Sequence, residues 1–110
     1  MKTFPERARG STTGRPIMVL LDALGERWTL RILWELRSRP LTFREIIEAS
    51  GGMSPTLLNK RLKRLRELGL VFHEEGEGYT LTTEAVELSE LLLPLSRWAD
   101  RWAKRLGRPT

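Results

Sequence analysis

The residues of this chain best suited to chemistry lie in one stretch, NKRLKRLRELGLVFHEEGEGYTLT at positions 59–82. Five of the seven residues at 60–66 are Lys or Arg, and 74–78 then holds three glutamates and two glycines. Such cations can neutralise phosphates, and Ser54, Thr56 and Asn59 add hydroxyl and amide groups of the kind that contact base edges. With Leu58, Leu62, Leu65 and Leu68 on one side of an α-helix, Thr56, Asn59, Lys60, Lys63 and Glu67 fall on the other. Arg61 then points toward the edge of the apolar side, and Arg64 and Arg66 flank it. A Lys/Arg run on a helix is most often a solvated face. Residues 54–66, however, contain no glutamate to make the i±4 pairs such a face ordinarily carries. Five unpaired cations repel one another, and a polyanion relieves that repulsion.

Other chemistries find no support. There is no cysteine, so thiolate nucleophiles, disulfides and sulfur-ligated zinc are excluded, and His73 alone cannot build a His-rich metal site. No Ser-His-Asp set or phosphate-cradling glycine loop is present, and EGEG at 75–78 is too short and acidic for anionic substrates. Asp22 and Asp100 read as helix-surface charges. The expectation is a protein without catalytic residues, metal or cofactor.

Composition agrees with an anionic partner. At 110 residues the chain is one domain's worth, and 40% hydrophobic content is enough for a core. The net charge is +5, with fifteen arginines among nineteen cations; the planar guanidinium suits phosphate and guanine. The longest apolar runs, IMVLL and LLLPL, fall far short of the ~18 residues of a membrane span, and the first fourteen residues contain no secretory apolar segment. A soluble cytoplasmic protein is expected.

The elements that must position these groups follow from periodicity and caps. Residues 1–14 read as a flexible basic arm. A helix at 16–24 presents Ile17, Leu20, Leu21 and Leu24, with Pro16 in its first turn and Gly25 at its stop. A second, at about 29–37, turns Leu30, Leu33, Trp34 and Leu36 inward, and Pro40 forbids its continuation. After a short extended PLTF, Thr42 and Glu45 form a capping box that opens a two-turn helix. Ser54 as N-cap and Pro55 at the first helical position start the basic helix, which Gly69 stops near Leu68. LVFHE and YTLT read as two short strands joined by EGEG. Thr82 or Thr83 caps a last helix to about Leu106, in which Pro94 introduces a bend or break. The order is a mainly α fold with a small β-hairpin (α+β): a winged helix-turn-helix at 15–106, with terminal helices at 16–24 and 83–106 and a tail at 107–110.

In the last helix Leu88, Leu92, Leu95, Ala99, Trp102 and Leu106 recur at spacings of four and three, with Leu91 and Trp98 as a second line. A small domain covers one such stripe, and the other requires a partner. The expectation is a two-fold homodimer whose interface uses Ile17, Leu20, Leu91, Leu95, Trp98 and Trp102, setting two basic helices about one DNA turn apart. A broad aromatic core within a monomer is the simpler alternative. Glu74, Glu75 and Glu77 stand where a wing would approach DNA and would be repelled, so the hairpin reads as a solvated turn, a wing held clear of the duplex, or a partner for arginines of its own or a second subunit.

These stretches resemble the HxlR-type winged-helix transcriptional regulators of bacteria and archaea, relatives of the MarR group, over roughly residues 14–103. The resemblance rests on GERWTLRILWEL (25–36), TFREI (42–46), MSPTLLNKRLKRLRELGLV (53–71) and YTLT (79–82); the first and third together are fairly specific, the last weak alone. It implies a dimer formed by the terminal helices, the helix after Ser54 in the major groove, and phosphate contacts from Arg27 and Arg61. There are departures. Family members often carry a cysteine before the first helix, where Gly14-Arg15-Pro16 stands here, so thiol sensing does not transfer. Thr42 replaces a common arginine, and Arg64 and Arg66 stand where acidic residues are common.

The leading expectation is a non-enzymatic regulator binding double-stranded DNA, with Arg27, Arg44, Arg61 and Arg64 on phosphates and Ser54, Thr56, Asn59, Lys60 and Lys63 reading bases. The alternative is a winged-helix assembly module whose basic face meets an acidic protein. A third reading, compatible with the first, is a small-molecule effector in an apolar pocket between subunits near Trp98 and Trp102.

Overall fold

The computed structural model describes residues 14–108. Its elements are α1 (Pro16–Leu24), α2 (Thr29–Leu36), α3 (Phe43–Ala49), α4 (Pro55–Glu67), β1 (Val71–Glu74), β2 (Gly78–Leu81) and α5 (Thr83–Arg105). This is the expected winged helix-turn-helix. The arm expected at 1–14 lies outside the described residues except for Gly14. Of the 107–110 tail, Gly107 and Arg108 are described, and they close α5 by donating to the Lys104 and Ala103 carbonyls.

Local chemistry fixes most boundaries. The Thr42 hydroxyl accepts from the Glu45 N–H at 3.1 Å while the Glu45 carboxylate accepts from the Thr42 N–H at 2.9 Å, so the capping box is complete. Ser54 Oγ accepts from the Leu57 N–H at 3.1 Å and opens α4. At the other end Gly69, at φ 73°, donates to the Arg66 carbonyl while Leu70 donates to Leu65, the paired closure that a left-handed glycine allows. Thr82 caps α5 through the Ala85 N–H and donates its hydroxyl to the Gly69 carbonyl at 2.7 Å, tying the ends of α4 and β2 together.

One core holds the elements. Ile32, Leu33 and Leu36 of α2 meet Leu41, Ile46 and Met53, the stripe Leu58, Leu62 and Leu65 of α4, and Leu70, Val71, Leu81 and Ala85. The strands pair antiparallel with Val71 opposite Leu81 and Glu74 opposite Gly78. An isolated bridge between Leu41 and Tyr79 joins the hairpin to the segment before α3.

Several sequence expectations need correction. In α2 it is Ile32, with Leu33 and Leu36, that is buried; Leu30 is 42% exposed and Trp34 half-buried, because α2 turns that side toward α5 rather than the three-helix core. That helix stops at Leu36, where the Arg37 N–H closes onto the Trp34 carbonyl. In α1 the buried residues are Val19 and Ala23, with Ile17 and Leu21 outward, and its closest packing among the described elements is on α2. Pro94 does not break α5, which runs unbroken from Thr83 to Arg105.

Trp28, between α1 and α2, is the one non-glycine residue with positive φ among the described residues, at 78°. A bulky residue held there costs about 1–3 kcal/mol, and its ring packs against the core in return.

Candidate nucleic-acid interface

The α3–turn–α4 unit carries the candidate interface. The turn reverses on Gly51 and Gly52, anchored from below by buried Met53 and by Ser50, whose Oγ donates to the Ile47 carbonyl at 3.0 Å and accepts from the Met53 N–H. Arg31 of α2 donates to the Ala49 carbonyl at 2.8 Å and pairs with Glu35 at 2.7 Å, fixing the end of α3. The two helices are therefore set by core packing and by hydrogen bonds independent of any partner.

With Leu58, Leu62 and Leu65 fully buried, Thr56, Asn59, Lys60 and Lys63 of α4 are all exposed on one side, together with Ser54 at its N-terminus. The Ser54 oxygen is occupied as the N-cap acceptor, and its O–H remains a donor. Beside this face a hollow of about 330 Å³ lies between α4 and the hairpin, lined by Asn59, Lys60, Leu62, Lys63, Arg66 and Tyr79. Arg44 of α3 is 90% exposed and pairs only loosely with Glu48, at 3.7 Å. Arg27 is exposed in the turn before α2, with its guanidinium 5.6 Å from the Trp28 ring centre.

Arg61 and Arg64 are placed differently from the expectation. Arg61 Nε donates to the Arg27 carbonyl at 2.7 Å and its Nη1 meets Glu26 at 3.4 Å, with the side chain only 17% exposed. Arg64 Nε lies 3.5 Å from the other Glu26 oxygen. The α4 cations are thus not all unpaired. At i and i+3 these two arginines share a side of the helix, and the partner that receives them comes from a turn 35 residues before Arg61.

The hairpin is short, four residues per strand, with the Glu77 N–H closing its turn onto the Glu74 carbonyl at 3.0 Å. Glu74, Glu75 and Glu77 are all exposed. His73 packs edge-on against Tyr79 with ring centres 4.8 Å apart, in the strand pair next to the Glu74–Gly78 pair that borders the turn.

On the far side, α5 contacts only α2 and β2 closely and buries Ala85 alone. Leu91, Leu95, Trp98 and Trp102 are exposed, the two indoles stacked 5.8 Å apart, and Ile17 of α1 is exposed while Leu20 is half-covered. A groove of about 420 Å³ lies between α2 and α5, lined by Leu30, Trp34, Leu92, Leu95 and Ala99 with Arg31 at its edge. Within the chain this apolar hollow uses Trp34, and not Trp98 or Trp102. Among the described residues no cluster of three or more His, Asp or Glu could hold a metal, and no helix is long and apolar enough to cross a membrane.

This arrangement is that of a winged helix-turn-helix regulator. Residues 23–106 match the HxlR-like helix-turn-helix family, and the chain belongs to it. It is 33% identical over 109 residues to the HTH-type transcriptional regulator MT3179 of Mycobacterium tuberculosis, covering 94% of this chain and 66% of that one. The chain thus spans about two thirds of the length of that relative. Among solved structures it is similar to quinone-bound YodB from Bacillus subtilis, with a TM-score of 0.72 and 32% identity over 79% of this chain and 98% of that one. An Enterococcus faecalis V583 protein described as a regulator of the MarR family has a TM-score of 0.70 and 26% identity, covering 94% and 99% of the two chains.

Proposed function

We propose that this chain is a sequence-specific DNA-binding transcriptional regulator that acts as a homodimer in the cytoplasm, with α4 lying in the major groove of a pseudo-palindromic site. The observation that carries this reading is the outward face of α4, where hydroxyl, amide and ammonium groups stand together on a helix whose opposite stripe is wholly buried. Ser54, Thr56 and Asn59 supply base-edge hydrogen bonds, Lys60 and Lys63 supply charge and guanine contacts, and Arg27 and Arg44 approach phosphates from the turn before α2 and from α3. The exposed apolar side chains of α5 and α1 support a two-fold interface between copies, which brings two α4 helices to one side of the duplex.

The test is fluorescence anisotropy with labelled DNA from the region upstream of the protein's own coding sequence and with a scrambled duplex, at several salt concentrations. An Asn59→Ala/Lys63→Ala variant runs in parallel. Tight binding to the first DNA that resists competitor and is lost in the variant is the expected result. Equal weak binding to both DNAs, abolished by moderate salt, counts against it and turns attention to an acidic protein partner.

A second role is favoured by the groove between α2 and α5. Its apolar walls and volume suit a small aromatic effector, and a relative of similar fold is named as quinone-bound. With no cysteine in the chain, capture of such a molecule by a thiol of this protein is excluded. Quenching of Trp34 fluorescence by a panel of small aromatics, removed by Leu30→Arg, is the expected result; no change with any of them sinks it.

A further inference from the structure

Glu26 sits in the elbow between α1 and α2, only 17% exposed, with one carboxylate oxygen 3.4 Å from Arg61 Nη1 and the other 3.5 Å from Arg64 Nε. The elbow is tightly built. Glu26 donates its N–H to the Ala23 carbonyl, its own carbonyl accepts from Thr29, and two residues on stands Trp28 at positive φ. Arg61 completes the connection by donating Nε to the Arg27 carbonyl. Two of the five cations of α4 are therefore bound to the elbow of the chain's first two helices, on the flank of the face carrying Asn59 and Lys63.

We propose that Glu26 is a positioning residue of the DNA interface: it holds the Arg64 guanidinium off the phosphate-facing surface and, together with the Arg27 carbonyl, pins Arg61 so that α4 is presented at a fixed angle. This rests on the DNA-binding reading above. The physical reason is competition between anions. A phosphate can draw Arg64 away only by leaving a mostly buried carboxylate with one cation in place of two, and such a loss costs more than an exposed phosphate contact returns. Glu26 is also held beside Arg64 by the chain, whereas the duplex must arrive from solution. The number of phosphates that α4 neutralises is thus set by Glu26 as well as by its own count of cations. Arg64 is 31% exposed, the more accessible of the two arginines, and is the one released when Glu26 loses its charge.

The salt dependence of binding reads this directly, because each phosphate neutralised contributes about 0.9 to the slope of log K against log salt. The full chain is titrated with a short mixed-sequence duplex, which needs no knowledge of an operator, as wild type, Arg64→Ala, Glu26→Gln and the double variant, with Lys63→Ala as control. Circular dichroism melts establish that each is folded. Arg64→Ala is expected to leave the slope of the wild type unchanged, Glu26→Gln to steepen it by about 0.9 per protomer, and Arg64→Ala in the Glu26→Gln background to take that gain away. A mere loss of folding stability does not produce this pattern. If Arg64→Ala flattens the wild-type slope by a full phosphate, Arg64 is already on the DNA and the proposal is overturned, even should Glu26→Gln fail to fold. A folded Glu26→Gln with an unaltered slope overturns it equally. If Lys63→Ala also leaves the slope unchanged, the DNA-facing assignment of α4 fails, and this proposal falls with it. A flattened slope in Lys63→Ala beside an overturned Glu26 result removes the positioning role alone.

Discussion

Leu41 and Tyr79 exchange both backbone hydrogen bonds, at 2.7 and 3.0 Å, although they are neighbours in no named strand pair. This single bridge fastens the hairpin to the segment that leads into α3, and so fixes the hairpin relative to the helix-turn-helix. It also brings the chain so close that a Cβ on Gly78, at φ 113°, would run into the Leu41 carbonyl and come within 2.8 Å of the Thr42 nitrogen.

Gly78→Ala is therefore expected to destabilise the fold by about 2 kcal/mol or more, combining backbone strain with a collision against rigid backbone. In a domain of this size that corresponds to a Tm loss on the order of 10 °C. Thermal melts check it; an unchanged Tm means that the bridge is not made in solution.

Asn59→Ala and Lys63→Ala should separate reading from charge. Loss of the amide is expected to cost about 1–3 kcal/mol of discrimination between specific and scrambled DNA while the salt slope stays the same. Loss of the ammonium is expected to flatten the slope by about 0.9 per protomer. Identical behaviour of the two variants runs against the division of roles along α4.

Leu91 is 66% exposed on α5, so a charge there disturbs nothing within the chain. Leu91→Glu is expected to convert a dimer into a folded monomer, with unchanged helicity and DNA affinity reduced at least tenfold through loss of the second half-site. Light scattering after size exclusion measures the mass. A wild type that is already monomeric at micromolar concentration refutes the assembly.

The Glu45 carboxyl is held below its ordinary value, chiefly by the Thr42 N–H that it accepts, with Arg39 3.5 Å away as a lesser cause. A carboxyl depressed in the folded state contributes stability that is complete above its unfolded pKa and disappears as pH falls through the folded one. Glu45→Gln is thus expected to melt lower than wild type near neutral pH and to converge with it in acid. Thr42→Ala removes the other half of the box, at a cost of about 1 kcal/mol. A pH-independent gap between wild type and Glu45→Gln contradicts this assignment.

Pro94 lies inside a continuous α5 and can donate no hydrogen bond to the carbonyl one turn earlier. Pro94→Ala restores that bond at an exposed position and is expected to stabilise the chain by about 1–3 kcal/mol, raising Tm and helical ellipticity. A loss of stability runs against the missing hydrogen bond as the main cost of Pro94.

Much of this protein is legible in order. Ser54-Pro55, the Thr42/Glu45 box and Gly69 mark their helix ends because caps are satisfied by atoms three or four residues away, so residue type at a fixed offset determines them. The buried stripe and the polar face of α4 follow from helical periodicity for the same reason, and the HxlR resemblance drawn from these stretches agrees with the family the chain belongs to.

What tertiary structure decided are the relationships across long separations. Periodicity marks the apolar residues of α1 and α2 without saying which neighbour covers them, so Leu30 reads as inward although it is exposed, and Val19 and Ala23, which α1 buries, stand outside its apolar repeat. A charge count within 54–66 finds five cations and no partner, because Glu26 reaches Arg61 and Arg64 only when α1, α2 and α4 have packed together. The sequence by itself determined which helices form and which face of α4 is polar, through contacts within a turn or two. Folding decided which of those cations are left for a partner, since that depends on which distant carboxylate the packing of three helices brings alongside.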